Sequence, residues 1–127
     1  MTHSLWLPDL PLWTTNAERS KALWWHRAQT ADARRQAAFM ASSARAAGHL
    51  TPVTDVQVIE AEPFQPRHPL ADCGAHYPAV KAVIDGLVDA RVLPADTPAV
   101  VPAILMRAPR LARESPDGRP GLLITLG

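Results

Sequence analysis

The chain has 127 residues, 13 Lys and Arg against 12 Asp and Glu, and a formal charge of +1, a length that suits one domain with a real core and not two independent ones. Its single cysteine, Cys73, excludes an intramolecular disulfide and any zinc cluster built on cysteine. No uninterrupted apolar run is long enough to span a bilayer, and the start, broken by Pro8 and Pro11, lacks the basic segment of a secretory signal, so the expected compartment is the cytoplasm. The near-neutral total hides a segregation. Residues 1–50 carry six Lys/Arg against three Asp/Glu, residues 51–100 three against seven, and residues 101–127 four against two. An acidic centre between basic flanks suits a protein that gathers divalent cations with carboxylates while Arg and Lys hold a polyanion around them.

In chain order, residues 1–13 predict an extended, proline-broken segment whose Trp6, Leu10, Leu12 and Trp13 can pack onto the domain. Thr14, Thr15 and Asn16 offer helix N-caps, since their short side chains accept bonds from the first free N–H groups. A helix is expected from about Ala17 to Ala47, stopped by Gly48. Within it Ala33, Ala37, Met40, Ala44 and Ala47 form a narrow stripe of small residues for close packing. Arg27, Arg34 and Arg45 share another line, because seven and eighteen residues are nearly whole numbers of turns. That line is a candidate phosphate-binding edge, with a solvated helix face as its plain alternative. Trp24 and Trp25 read as core residues in preference to base-stacking ones.

Residues 52–62 are rich in β-branched side chains and predict a strand, and the three prolines of residues 63–70 predict a loop. Pro78 suits the first turn of a second helix running to about Ala90, where its missing N–H costs nothing. Val80, Val83, Ile84, Leu87 and Val88 form that helix's buried face. Gly86 lies inside it despite a cost of about 1 kcal/mol relative to Ala, which signals a close contact. A turn follows at Leu93–Pro98, then a strand over residues 99–109, a hairpin-like loop at Ser115–Gly121 and a last strand at Leu122–Leu126. The order helix, strand, helix, strand, strand implies an α+β domain, a small sheet packed with two main helices.

Three residues frame the second helix. Asp72 precedes it, Lys81 lies one turn in, and Asp96 follows it. Phosphodiester hydrolysis needs neutralised phosphoryl oxygens and an activated water, which Mg²⁺ or Mn²⁺ held by one or two carboxylates supplies. The helix is about 20 Å long, so the two acids meet in one subunit only if the flanking loops fold back. Lys81 can stabilise charge on a scissile phosphate, or pair with Asp85 at i+4; Asp85 and Asp89 extend its line, either supporting the site from behind or simply solvated. His76 is either a ligand or proton shuttle, or a packing residue at the helix end. Cys73 has no cationic neighbour in sequence and is given no role.

The run Asp72-Cys73-Gly74-Ala75-His76-Tyr77-Pro78-Ala79-Val80-Lys81-Ala82, continuing through Asp85-Gly86-Leu87-Val88-Asp89-Ala90 to Leu93-Pro94-Ala95-Asp96, resembles the core motif of the RusA family of phage Holliday junction resolvases. The likeness is to forms in actinobacterial phages and prophages, where Asp-x-(Asp/Gly)-Asn leads through Pro-x-x-Lys-Ala and Asp-Gly-Leu-Val-Asp-Ala to a Leu-Pro-Asp-Asp turn and a strand. With the Trp13-Thr14-Thr15-Asn16 start it covers nearly the whole chain. The resemblance implies a single RusA-like domain over residues 1–127, a homodimer, and Mg²⁺- or Mn²⁺-dependent cleavage of branched DNA such as four-way junctions. It assigns Asp72 and Asp96 as metal ligands, Lys81 as the catalytic cation, and raises Arg27, Arg34 and Arg45 as DNA contacts. Gly74, Ala75 and Ala95 stand where the most familiar form of the family carries an acid, an asparagine and an acid. The alternative is therefore a non-enzymatic DNA-binding or structural phage protein on the same fold, its catalytic set partly lost.

Overall fold

The computed structural model describes residues 3–54 and 56–127; Met1 and Thr2 of the expected extended start, and Asp55 of the expected strand, lie outside the described residues. The elements are β1 (His3–Pro8), α1 (Thr15–Ser20), α2 (Leu23–Ala46), β2 (Ile59–Gln65), α3 (Tyr77–Asp89), β3 (Ile104–Met106), β4 (Arg110–Leu111), a 3₁₀ turn (Ala112–Glu114) and β5 (Gly121–Leu126). This is the expected α+β class. The sheet runs β1-β5-β2-β3, with β4 also on β2. β5 is antiparallel to both neighbours, while β3 and β4 lie parallel to β2.

Period-two alternation gives the sheet one buried face. Leu5, Ile124 and Ala61 line up across three strands, as do Leu7, Leu122 and Pro63. These side chains join Ala33, Ala37 and Ala41 of α2 and Val80, Val83, Ile84 and Leu87 of α3 in one core. The buried face expected for α3 is therefore observed, with Val88 half-buried at its margin. Pro78 occupies the first turn as expected. Gly48, at φ +78°, ends α2 in a Schellman turn: its N–H donates to Arg45 O at 3.1 Å and that of His49 to Ala44 O at 2.8 Å.

Several expectations are corrected. The N-terminal segment is not merely extended but a full strand, because Leu5 and Leu7 alternate into the core against β5. The first helix is broken. Lys21 and Ala22 are extended, with ψ of 158° and 154°, and Ser20 Oγ donates back to Asn16 O and Ala17 O at 3.3 Å each, competing with helix continuation. The small-residue stripe is centred on Ala33, Ala37 and Ala41, whereas Ala47 is exposed past the end of the contact with α3. Trp24 is 72% exposed and is no core residue, since no residue of α2 before Ala33 is fully buried. Trp25 is half-buried against the core.

The strand expected over residues 52–62 begins later, at Ile59, and runs through Pro63. Pro63 keeps its place opposite Leu122 of β5, while on its other side the parallel partner is split. Two residues between Ala61 and Phe64 face three between Met106 and Arg110, a bulge where Pro63 has no N–H to offer. The strand expected over 99–109 shrinks to Ile104–Met106 between Pro102 and Pro109, after a turn in which Val100 N–H and Val101 N–H both reach Thr97 O. The loop at 115–121 is no hairpin, because β4 and β5 lie on opposite sides of β2.

Gly86 is where the two main helices touch. A Cβ there would lie 2.6 Å from Arg34 O and 2.8 Å from Ala37 Cβ, backbone and a short stub that cannot swing aside. Gly86→Ala is expected to lose about 1–3 kcal/mol through overpacking, outweighing the roughly 1 kcal/mol gain in helix propensity. A urea unfolding midpoint equal to or above wild type would show that the helices can part freely.

Candidate functional site

The end of α3 determines where Asp96 lies. Ala90 caps the helix and Arg91 turns left-handed at φ +60°, so that Arg91 N–H donates to Val88 O at 3.0 Å and Val92 N–H to Leu87 O at 2.9 Å. Val92 and Leu93 then bury completely, pulling the chain back along the helix. Asp96 thereby reaches Lys81, an ion pair spanning fifteen residues, and Lys81 Nζ also donates to Asp85 Oδ1 at 3.1 Å. The fold-back needed for Asp96 is thus present. Lys81 is raised above its ordinary pKa chiefly by the hydrogen bond to Asp96, opposed by partial burial and helped by Asp85. Asp96 is held below the usual carboxylate range by Lys81. Both side chains remain about two-fifths exposed, so the cluster is open to a ligand.

Asp72 lies elsewhere. Its loop is stapled by Gln65, whose Nε2 donates to Pro69 O at 3.0 Å while its Oε1 accepts from Ala71 N–H at 2.8 Å. Ala75 N–H closes a turn on Asp72 O, Thr15 N–H donates to Ala75 O, and Cys73 Sγ–H donates to Met106 O, each at 3.0 Å. Asp72 lines a cavity of about 480 Å³ between this loop and Thr14, Thr15 and Asn16. Gly74 at φ +83° has open space around its Cβ position, so the turn itself accounts for glycine here.

His76 is a packing residue, not an exposed ligand. It is 3% exposed, with Nδ1 3.2 Å from Trp13 O and Nε2 3.3 Å from Gln65 Oε1. Burial lowers its pKa, opposed by the bond to Trp13. Of the expected arginine line, Arg34 forks onto Asp89 at 2.6 and 2.8 Å, and Arg45 Nη1 donates to Ala90 O at 3.3 Å. Both brace the end of α3. By this contact Asp89 raises the pKa of Arg34, and Arg34 lowers that of Asp89. Arg27 is exposed and makes no ion pair among the described residues.

The acids that converge are thus Asp85 and Asp96 on Lys81, with Asp72 apart. Among the described residues no group of three or more His, Cys, Asp or Glu side chains could hold a metal ion. Two carboxylates do fit Mg²⁺ or Mn²⁺ when water and a substrate phosphate complete the shell, which is how Mg²⁺ is usually held. Sequence reasoning missed Gln65 and Arg91. Gln65 sits in a proline-rich stretch with no period to mark it, and Arg91 carries a left-handed turn that glycine would have announced. Among the described residues no helix is long and apolar enough to cross a membrane. In comparisons with known proteins, no family model and no curated protein matches the chain.

A buried neutral imidazole ties stability to pH. The unfolded chain binds a proton near the ordinary His pKa of about 6.5, and folded His76 binds it only at lower pH. Its contribution is complete above that pH and is lost as pH falls toward the folded value. His76→Asn, which keeps a donor for Trp13 O, is expected to flatten the decline of the urea midpoint between neutral and mildly acidic buffer; an unchanged profile would assign the decline to other groups.

Proposed function

We propose that the chain is a RusA-like endonuclease, a homodimer that engages branched DNA, four-way junctions included, and hydrolyses phosphodiesters with Mg²⁺ or Mn²⁺. The observation that supports it most is the return of Asp96 onto Lys81 beside Asp85. An acid after the helix and a lysine one turn in, two of the three site residues that the resemblance implies, form a compact, solvent-open cluster with Asp85 in place of Asp72. Asp85 and Asp96 would hold the ion, which when bound neutralises phosphoryl charge and acidifies a water. Lys81, freed from the carboxylates, donates to a non-bridging oxygen as negative charge develops. Asp72 is separate from this pair within one copy, so its part in the ligand set falls to the dimer. A two-fold junction needs two symmetric cuts, which a C₂ assembly provides.

A second reading, DNA binding without hydrolysis, is favoured by one specific feature. Lys81 already pairs with both acids, a resident cation where a metal would compete. Purified protein titrated with Mg²⁺ and Mn²⁺ on a four-way junction separates the two. The enzymatic reading expects metal-dependent cleavage that Asp72→Asn or Asp96→Asn abolishes while binding survives. Binding with no cleavage at any metal concentration leaves the second reading standing; no binding defeats both.

The arginines divide between junction binding and stability. Arg27→Ala is expected to reduce the dependence of log K on log salt by about 0.9 for each phosphate that the protein no longer neutralises. Arg34→Ala instead removes the brace on Asp89 and is expected to lower the unfolding midpoint. An unchanged salt slope for Arg27→Ala would return that residue to a solvated helix face.

A further inference from the structure

The elbow between α1 and α2 carries exposed apolar surface and unpaired cations that the fold does not use. Leu23 is 61% exposed beside the exposed Trp24. On a 3.6-residue period Arg27 stands between the two, one turn further along the helix. The first ten residues of α2, about 15 Å, hold no fully buried side chain. Trp25 turns inward by contrast, half-buried against the core, with Lys21 Nζ 6.0 Å from the centre of its ring. That anchoring leaves Trp24, about 100° away around the helix, facing solvent. Arg19, Lys21 and Arg27 are exposed and make no ion pair among the described residues. No acid offsets them nearby. Between Asp9 and Asp32 the sequence has only Glu18, whose Oε2 accepts from Trp13 Nε1 at 3.1 Å. Asp32 itself lies about two turns beyond Trp24, in a 3.2 Å pair with Arg35.

We propose that this elbow is a contact for single-stranded nucleic acid, in which Trp24 stacks on an unpaired base while Lys21 and Arg27 hold phosphates beside it. Charge separates this occupant from the others. A second copy of the elbow would set Arg19, Lys21 and Arg27 against the same three cations. An anionic bilayer matches the charge but needs an apolar line continuing along the helix, and beyond Trp24 that line runs through Ala28, Ala31 and Arg35. An unpaired nucleotide matches both halves of the surface, since its phosphate is anionic and its base offers a flat π face to the indole. Stacking of this kind tolerates every base, so the contact reads strandedness and not sequence. On the endonuclease reading, on which the choice of nucleic acid rests, Trp24 recognises the parted arms of a branched DNA while the Lys81 cluster meets its backbone.

Binding of the full chain to an oligothymidylate of about 16 nucleotides, and to an abasic oligomer of the same length and charge, tests it. Wild type is expected to bind the oligothymidylate with quenching of tryptophan emission. Trp24→Ala is expected to weaken that binding at least about 5-fold and to abolish most of the quenching, the size of one stacked base, while binding of the abasic strand and the circular dichroism melt stay in place. Trp24→Phe keeps a stacking ring and is expected to restore most of the affinity. Lys21→Ala and Arg27→Ala are each expected to reduce the dependence of log K on log salt by about 0.7 on the single strand, a slope that Trp24→Ala leaves alone. No binding of the oligothymidylate by wild type overturns the proposal. So does binding of phosphatidylserine vesicles in its place, with a blue shift that Trp24→Ala removes. Equal affinity of wild type and Trp24→Ala for the oligothymidylate overturns this surface and leaves the functional reading intact. Single-strand binding that depends on Trp24, in a protein that neither binds nor cleaves four-way junctions, keeps the surface and defeats the endonuclease reading alone.

Discussion

The approach of α2 to α3 at Gly86 is the constraint from which the site follows. With Arg34 O and Ala37 at van der Waals range of the glycine, α3 lies against α2 along Val80, Val83, Ile84 and Leu87, and its remaining side presents Lys81 and Asp85 outward. Burial of those four side chains is worth about 1.5–3 kcal/mol each as an upper bound. The half-exposed Arg34–Asp89 fork contributes at most about 1 kcal/mol. Packing therefore holds the helix, and the arginine contacts only fix its rotation. The Schellman turn at Arg91 and the burial of Val92 and Leu93 complete the sequence of causes by delivering Asp96.

Charge segregation along the chain does not survive as charge segregation on the surface. Acids of the central region are met by arginines of the flanks: Glu60 by Arg107 at 2.7 Å, Glu62 by Arg110 at 3.2 Å and Asp89 by Arg34. Two of these pairs cross between β2 and the chain beside it. The acidic centre is thereby partly consumed by internal pairing, and the Lys81 cluster remains a local excess of carboxylate over cation. That excess is one carboxylate, and the balance is a matter of one lysine.

How much of this is legible in the sequence depends on where the information lies. α3 is readable because an apolar period of 3.6, Pro78 in the first turn and Gly86 at the contact agree with one another. Gly48 marks the end of α2 for an equally local reason. β1 is obscured by Pro8 and Pro11, which signal a broken segment while Leu5 and Leu7 keep strand alternation ahead of them. Alanine-rich α2 offers no contrast between its faces, so neither the break at Lys21 nor the exposed first half can be seen. The meeting of Asp96 with Lys81 depends on a left-handed Arg91, a conformation uncommon outside glycine and asparagine, and spacing alone cannot reveal it. Asp72 keeps its expected loop, but its neighbours Thr14–Asn16 come from a part of the chain nearly sixty residues away.

β5 lies between β1 and β2, so the first strand has no sheet partner until β5 is made: His3 pairs with Leu126 and Pro8 with Gly121. On the ribosome β1, α1, α2, β2 and α3 emerge in turn with their sheet-facing residues uncovered, and only the helix pair can form contacts that are complete in themselves. Closure of the sheet is consequently a late event with high contact order, slower than helix pairing, and it leaves Leu5, Leu7, Ile59 and Ala61 open to other nascent chains until β5 has emerged. The same six-residue strand that completes the core sets the moment at which the molecule becomes safe from aggregation.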